Sequence, residues 1–373
     1  MNFWVPFLPL YMRDLGATSD ADALFWVAVA ATCQGIVRLA SGPVWGVLSD
    51  RYGRKLMFLR ALTFASLTTA IAAFATEPWH IVVAFVVQGI FSGFIPAATA
   101  LTSVSVPDRR LNSSLSMVSG AQFLGNTLGP AAGAALAVAI GYRGAIFGAA
   151  AMPALAAVLA TITVPRDRVA PTRRGDTGAP ERVSIRSLFT AQFSLVLLIF
   201  FVSISLNGVL RLATPVALER IEGVGQATAA SGVAFTLAGL ASVAGVVAAQ
   251  RVVRSGRLVR MLAAASLIGA AAHLVLVVAP DSATFIAAFT VIALLQAAML
   301  PATNTLIAAN APRERRGTAF GFASGVQAVG FMVGPSMAAG FAAVSLDLGF
   351  LVLAGLFGAL ALLIAMAVRE PRL

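Results

Sequence analysis

The sequence is poor in charged residues and in cysteine, and each shortage excludes a class of protein. Only 11% of the 373 residues are charged and 59% are hydrophobic, whereas soluble domains carry roughly 25% charged residues. A chain of this composition belongs in a lipid bilayer. Its single cysteine, Cys33, excludes an intrachain disulfide framework and a thiolate metal site.

Groups that could perform catalysis are also scarce. The two histidines, His80 and His273, lie far apart in the sequence and form no ligand pair, so we expect each to be structural. The sequence has no cluster of His, Asp and Glu for metal or acid–base chemistry. We therefore expect no enzyme activity, no metal and no cofactor.

The net charge of +11 does not indicate nucleic-acid binding. That function needs a basic patch interleaved with aromatic residues, or a basic helix. Here the basic residues form short clusters between apolar stretches. Their arrangement is typical of charges that orient a chain in a bilayer.

Twelve hydrophobic segments follow one another along the chain, six on each side of a polar stretch. Residues 1–12 are too short to cross a bilayer, which takes about 20 helical residues, and they lack the features of a signal peptide. We expect them to be the outer half of a first span whose start, roughly 19 residues, is missing. The other predicted spans are 25–48, 56–76, 81–104, 113–140, 145–164, 188–212, 227–249, 258–279, 283–309, 318–344 and 349–368.

The chain divides into two similar halves. Residues 165–186 are rich in Pro, Arg, Asp and Gly, which predicts a flexible linker between six-helix bundles at 1–164 and 187–373. A shift of 205 residues aligns 96–130 with 301–335 and gives eleven identities in 35 positions. Parallel repeats with a cavity between them are a transporter architecture.

Basic residues also predict which side of the membrane each loop faces. Of the 26 lysines and arginines, 21 lie on the side that holds the linker and the C-terminus, and three lie on the other side. Because cytoplasmic loops carry the excess of Lys and Arg, we expect the linker and the C-terminus to face the cytoplasm.

A charged turn joins the second and third predicted spans. Its local composition alone would equally suit a solvated turn, but apolar spans flank it on both sides. Asp50 would lie at the cytoplasmic face, against the positive N-terminal end of the eleventh span, where a carboxylate is worth up to ~2 kcal/mol. It would thus act as a latch that holds the halves shut on the inside. The candidate latch residues are Gly46, Asp50, Arg51, Gly53, Arg54 and Lys55.

This turn resembles the loop between helices 2 and 3 of the major facilitator superfamily, whose pattern is Gly-x-Leu-x-Asp-Arg-x-Gly-Arg-Lys. All the fixed positions of the pattern are met. In transporters with this loop the carboxylate is assigned the latch role, with the neighbouring basic residues as alternative partners. The corresponding turn of the second half has Val253 in place of the acid, so the resemblance implies one latch.

Two arginines, Arg38 and Arg211, lie within predicted spans. A cation at mid-bilayer costs at least ~2.5–3.5 kcal/mol, so it normally faces a watery cavity or a partner. Contact with a substrate or an anion is one interpretation, and snorkelling towards an interface is the other. Arg38 is too deep to snorkel easily, whereas Arg211 precedes Pro215 by four residues and could reach the outer interface.

Uncharged polar and aromatic side chains could complete a substrate cavity. Polar groups facing lipid are costly, so they should face a cavity or bond a neighbouring helix; both alternatives stay open, as does core packing for the aromatic residues. With the two arginines, the candidate cavity residues are Phe3, Phe7, Gln34, Arg38, Gln122, Asn126, Asn207, Arg211, Asn304 and Gln327.

The fifth predicted span carries Gly125-x-x-x-Gly129-Pro130-x-x-Gly133. Glycines four residues apart allow close helix packing, and packing alone could explain them. The spacing nevertheless resembles the antiporter pattern of drug-exporting facilitators. Ser116 and Ala134 replace its first and last glycines, and Phe85 replaces the arginine expected in the fourth span.

Together these motifs resemble the twelve-span drug:proton antiporter branch of the superfamily. The resemblance implies an all-α membrane protein with the major facilitator fold, two six-helix bundles in a pseudo-twofold repeat. It further implies a monomer in the bacterial inner membrane that exports hydrophobic or amphipathic compounds, including cationic ones, in exchange for protons.

The proton-binding group stays open. The fifteen carboxylates all fall between the predicted spans, yet proton-driven carriers usually hold an ionisable group inside the membrane. That group could lie in the missing start, Asp50 or His273 could serve, or coupling could be of another kind. Alternatives to drug efflux are a facilitator of a sugar or another small metabolite, and an inactive truncated carrier.

Overall fold

The computed structural model describes residues 4–91, 93–94, 97–98, 101–102, 108–164, 189–223, 225–254, 257–311 and 316–370, and every regular element among them is a helix. In lipid the backbone must satisfy its own hydrogen bonds, and a helix does so within one segment. After a turn of 3-10 helix at Val5–Phe7, the helices are α1 (Leu8–Asp14), α2 (Asp20–Tyr52), α3 (Arg54–Ala72), α4 (Pro78–Phe91), α5 (Asp108–Thr163), α6 (Ala191–Glu222), α7 (Ala227–Arg254), α8 (Leu258–Val278), α9 (Ser282–Ala309), α10 (Arg316–Val344) and α11 (Leu346–Ala367). The predicted linker, 165–186, lies outside the described residues.

Within the described chain, nine helical segments are long and apolar enough to cross a membrane. The predicted fifth and sixth spans are the two arms of α5, which meet at a kink at Gly141, where φ is 75°. A glycine adopts this backbone conformation without steric cost. The two helices predicted at 113–140 and 145–164 are therefore both present, and the break between them falls directly after the predicted end of the fifth span.

The end of α6 differs from the prediction. The apolar pattern placed it at Leu212, but the helix continues through Pro215 to Glu222 and ends at Gly223, where φ is 82°. Prolines are tolerated inside membrane helices because neighbouring groups satisfy the backbone carbonyl that they leave unpaired. Arg211 consequently lies in the middle part of a helix instead of at its end.

Polar side chains fix the starts of several helices. Thr190, Asp281 and Ser345 accept hydrogen bonds from the backbone N–H groups of residues three positions on, at the starts of α6, α9 and α11. Such caps satisfy amides that have no partner inside the helix. The N–H of Thr284 holds the pKa of Asp281 below its usual value, because this hydrogen bond favours the ionised carboxylate.

Two compact units divide the chain. The first groups residues 1–18 with 29–180, and the second groups residues 19–28 with 181–373. The second unit thus holds α6–α11 together with the first turns of α2. Within it, the guanidinium of Arg220 at the end of α6 binds Asp20 Oδ2 at the start of α2, with N–O distances of 3.0 and 3.1 Å.

Each unit packs its helices in the same pairs. In the first unit α2 meets α4 so closely that a Cβ at Gly89 would lie 2.7 Å from the carbonyl oxygen of Gln34. In the second unit α7 meets α9 at Gly245 and the carbonyl of Leu294 in the same manner. Likewise α3 packs on α5, and α8 packs on α11. These matching pairs agree with the internal repeat of the sequence.

In each unit a charged side chain joins the ends of two helices at their predicted cytoplasmic side, and we call this contact a joint. The side chain is a lysine in the first unit and a glutamate in the second. Lys55 Nζ, at the start of α3, donates to the carbonyl oxygens of Thr161, at 3.0 Å, and Val164, at the C-terminal end of α5. A cation there complements the negative end of the helix dipole. The lysine ties α3 to α5.

In the second unit the joint is made by an acid. The carboxylate of Glu370, just after α11, accepts from the backbone N–H groups of Leu258 and Val259 at the start of α8, the latter at 3.0 Å. Here an anion complements the positive end of a helix. Corresponding helix pairs are therefore joined in the two units: a cation joins α3 to α5, and an anion joins α11 to α8.

Candidate functional site

The charged turn predicted to carry a latch lies between α2 and α3. Gly53 separates the two helices and has φ of 98°, a conformation that glycine adopts readily. The side chains of Asp50 and Arg51, and the surroundings of Gly46, lie outside the described residues, so the latch itself stays a prediction. Arg54 and Lys55 open α3, and Lys55 makes the joint to α5.

The glycine motif of the fifth predicted span lies in the first arm of α5, residues 108–140. Pro130 and Gly133 are buried, Gly129 is half-buried and Gly125 is exposed. A Cβ at Gly125 would meet nothing within 4 Å. At this glycine, then, no described neighbour packs closely against the helix.

The corresponding motif of the second half is packed. A Cβ at Gly330 would lie 2.8 Å from the Ile204 side chain. One at Gly334 would lie 2.9 Å from the Ser205 carbonyl oxygen and 3.0 Å from Gly208 Cα. Glycines four residues apart thus bring α10 against α6, which is the packing function that small residues serve in membrane helices.

In the first unit a chain of hydrogen bonds links three helices. Gln34 Nε2 on α2 donates to Gln88 Oε1 on α4, at 2.7 Å. Gln88 Nε2 in turn donates to Thr69 Oγ1 on α3, at 3.4 Å. Gln34 therefore serves helix packing, whereas the side chain of Arg38, one turn further along α2, is exposed.

The remaining candidates of the first half divide between packing and undescribed positions. Phe7 is only 2% exposed, so it belongs to the packed interior of its unit. Phe3 and the side chains of Gln122 and Asn126 lie outside the described residues. Phe85, which replaces the arginine expected in the fourth span, is buried and packs edge-on against Trp4 with ring centres 5.8 Å apart.

Polar groups meet between α6 and α9 in the second unit. Asn207 Nδ2 donates to Gln296 Oε1, at 2.5 Å. Arg211 is four residues from Asn207 on α6, and residues at that spacing share a helix face. Arg211 precedes the end of α6 at Glu222 by eleven residues, or ~16 Å at 1.5 Å per residue. Contact with a substrate and snorkelling to the outer interface both stay open for Arg211. Asn304 on α9 and Gln327 on α10 are half-buried.

An apolar cavity of about 760 Å³ opens between the N-terminal halves of α6 and α10. Volumes of 300–1,000 Å³ are typical of sites for drug-sized molecules. Ser194 provides the one hydroxyl of its lining. The other lining residues are Leu197, Leu198, Phe201, Phe322, Gly325, Val326 and Val329.

His273 is a packing residue, as the sequence predicts. It is fully buried on α8, its Nδ1 lies 2.7 Å from the Gly269 carbonyl oxygen, and its ring stacks on Phe357 of α11 at 4.9 Å. Among the described residues, no group of three or more His, Cys, Asp and Glu could hold a metal ion.

Two contacts of polar side chains were not predicted from the sequence. The guanidinium carbon of Arg60 lies 3.4 Å from the centre of the Trp45 ring, and Trp45 Nε1 donates to the Ile90 carbonyl, at 2.5 Å. These contacts tie α2, α3 and α4 together. In the sequence Arg60 is one of the basic residues of the predicted cytoplasmic side. An arginine and a tryptophan near the same predicted membrane face are the one signal that could have indicated the contact.

Similarities to known proteins extend along the whole chain. The sequence model of the Major Facilitator Superfamily matches residues 1–280 and, in a second alignment, 253–373. The multidrug resistance protein MdtG of Proteus mirabilis is 29% identical over 345 residues, which cover 91% of this chain and 84% of that protein. MdtG of Klebsiella pneumoniae is 28% identical over 381 residues, 98% of this chain and 89% of that one.

Solved structures share the fold. The nucleoside transporter NupG aligns with a TM-score of 0.75 at 12% identity, covering 98% of this chain and 96% of that chain. The human organic anion transporter MFSD10 aligns with a TM-score of 0.67 at 16% identity, covering 97% and 95%. The helices are long enough to span a membrane and pack in matching pairs, and the family model matches from the first residue to the last. The chain therefore belongs to the Major Facilitator Superfamily, a family of multi-pass membrane transporters and not of enzymes.

Proposed function

We propose that this transporter exports hydrophobic or amphipathic drug-like compounds from the bacterial cytoplasm by alternating access, in exchange for protons. The observation that carries the proposal is the similarity to multidrug resistance proteins over 91% of the chain. The apolar cavity between α6 and α10 supports it, because its lining of leucine, valine and phenylalanine suits an apolar solute and offers few hydrogen bonds to a sugar.

Proton coupling requires a titratable group that water can reach. The sequence leaves Asp50 and His273 as candidates within the chain, and His273 packs between α8 and α11 with its ring stacked on Phe357. This position leaves the histidine little access to water, so Asp50 is the better candidate. We further propose that the protein acts as a monomer in the inner membrane, with the linker and the C-terminus in the cytoplasm.

A panel of compounds tests the function in cells that lack their own efflux pumps. We expect expression of this protein to lower the intracellular level of at least one hydrophobic or amphipathic compound, and a protonophore to abolish the difference. The panel holds uncharged, cationic and anionic amphiphiles and a sugar. Accumulation of the sugar with no effect on any amphiphile would contradict the proposal.

A further inference from the structure

Two side-chain amides, Asn207 and Gln296, join the midpoints of two helices in the second unit, and we call them the amide pair. Asn207 lies halfway along α6 and Gln296 lies halfway along α9. Asn207 Nδ2 donates to Gln296 Oε1, at 2.5 Å. The middle of a spanning helix lies near the centre of the bilayer, and transporters hold their substrates at that depth. The amide pair is therefore at the depth of a substrate site.

The side chain of Asn207 lies at a local opening in a face of α6 that is otherwise closed. Residues seven positions apart share one face of a helix. Phe200, seven residues before Asn207, is 5% exposed, and Thr214, seven residues after it, is fully buried. Asn207 between them is exposed. Since a lipid-facing stripe would be exposed along its whole length, this exposure indicates an opening at the amide pair that a ligand can enter.

The amide pair retains hydrogen-bonding groups that the protein does not use. The bond to Gln296 takes one N–H of Asn207 and leaves its second N–H and its carbonyl oxygen. Gln296 Nε2 is buried and has no hydrogen-bond partner in the part of the chain that the structure describes. A buried donor without an acceptor is unfavourable. Unused N–H groups on both amides favour an acceptor oxygen as the group that completes the pair.

A second pair of amides shows the packing alternative. In the first unit, Gln34 donates to Gln88, and Gln88 in turn donates to Thr69 Oγ1. Gln88 is only 9% exposed, so that network is closed by a third helix and serves packing. The amide pair of the second unit differs in both respects, because one amide is exposed and the other keeps an unused donor.

We propose that Asn207 binds the carbonyl oxygen of an uncharged amphipathic substrate through its second N–H, and that Gln296 holds the Asn207 amide in position. The transporter then prefers compounds with a ketone, ester or amide carbonyl over compounds of the same shape without one. A site that hydrogen-bonds its substrate discriminates against an analogue that lacks the bonding group, because the polar groups of the site are left unpaired. This inference rests on the proposed export of amphipathic compounds.

Benzophenone and diphenylmethane test the preference, because they share an uncharged skeleton and differ only in a carbonyl against a methylene group. Near-ultraviolet light makes benzophenone form a covalent bond with a nearby C–H group, so the label marks the position of the carbonyl. With the purified full chain in phospholipid vesicles, we expect saturable labelling of the peptides around Asn207 and Gln296. Saturation gives the affinity for benzophenone, and competition gives that for diphenylmethane. We expect benzophenone to bind about fivefold more tightly, as one hydrogen bond allows.

Variants assign the preference to the amide pair through the ratio of the two affinities. Asn207→Leu leaves an apolar side chain and should still fold, and the ratio should fall to about one, whereas Asn207→Gln keeps an amide and should retain part of the preference. Gln296→Leu should lower the ratio about twofold, because the Asn207 amide is no longer held in one orientation. Ser203→Ala is the matched control one turn away. Its hydroxyl donates to the Ile199 carbonyl of the same helix, at 2.8 Å, so the ratio should not change.

Three results would overturn the proposal. An unchanged ratio in Asn207→Leu would remove the asparagine from recognition, and labelling confined to the apolar cavity between α6 and α10 would place the carbonyl elsewhere. Tighter benzophenone binding in vesicles of ether-linked lipids, which have no ester carbonyl, would identify a lipid as the occupant of the site. Failure of every amphiphile in the cellular panel would instead reject the proposed export. Because the ratio is measured on the purified protein, the two failures are distinguishable.

Discussion

At the scale of single residues, glycine positions distinguish close packing from open surface. Gly334 and Gly340 lie on the same helix, α10. A Cβ at Gly334 would lie 2.9 Å from a backbone oxygen and 3.0 Å from Gly208 Cα, both on α6, whereas a Cβ at Gly340 would meet nothing within 4 Å. Backbone atoms cannot move aside as side chains can, so α10 would have to shift.

We therefore expect Gly334→Ala to destabilise the protein by about 1–3 kcal/mol, the usual cost of overpacking a close contact. Gly340→Ala is the control and should be neutral or slightly stabilising, since alanine favours helix by about 1 kcal/mol over glycine. Thermal unfolding in detergent measures both. Equal melting temperatures for the two variants would show that α6 and α10 do not approach as described.

Residue-level roles were only partly predictable from the sequence. The scarcity of ligating groups identified His273 as structural, and its contacts agree. The position of Arg211 along its helix was not predictable, because the apolar pattern ended the span at Leu212 and the helix continues to Glu222. Whether Gln34 faces a cavity or a neighbour depends on Gln88, 54 residues away, and no local pattern encodes that contact.

At the scale of elements, we expect the joints between helix ends to contribute to the free energy of unfolding. Glu370 binds two N–H groups at the start of α8, and Lys55 binds two carbonyls at the end of α5. Charge on a helix terminus is worth typically 0.3–1 kcal/mol and up to ~2 kcal/mol when partly buried.

We expect Glu370→Gln and Lys55→Gln each to destabilise the protein by about 1 kcal/mol, seen as a lower melting temperature. Because the joints lie in different units, the double variant should lose the sum of the two effects. A Glu370→Gln protein as stable as the original would show that the acid is not needed at this joint.

The turn between α2 and α3 carries the second prediction at this scale. If Asp50 latches the cytoplasmic side, Asp50→Asn should leave the protein in the membrane and lower transport several-fold, which is within the ~2 kcal/mol that a carboxylate at a helix N-terminus supplies. Initial transport rates, normalised to the amount of protein in the membrane, are the measurement. Rates equal to those of the unaltered protein would remove the latch from the account.

Elements were easier to predict from the sequence than their ends. Apolar runs of spanning length located the helices well, because a bilayer demands about 20 residues per crossing. They also placed the break in α5 directly before Gly141, but they ended the span of α6 at Leu212 although the helix continues to Glu222. The joint at Glu370 was missed because a terminal acid was counted only as a loop charge, and its partners are amides that every sequence contains.

At the scale of the whole molecule, the distribution of basic residues predicts topology. With Cys33→Ala as background, single cysteines at Asp176, Arg372 and Glu77 can be labelled by a reagent that does not cross membranes. We expect Glu77→Cys to react from outside intact cells, and Asp176→Cys and Arg372→Cys to react only after the cells are opened. Linker and tail on opposite sides of the membrane would contradict an even number of spans between them.

Transport into energised vesicles tests the central claim most directly. In inside-out membrane vesicles the cytoplasmic face is outward, so export appears as uptake of an amphipathic fluorescent probe when a proton gradient, acid inside, is imposed. The account predicts uptake above that of vesicles without the protein, and its collapse on addition of a protonophore. No uptake of any amphiphile from the panel, or uptake that the protonophore leaves unchanged, would contradict proton-coupled export.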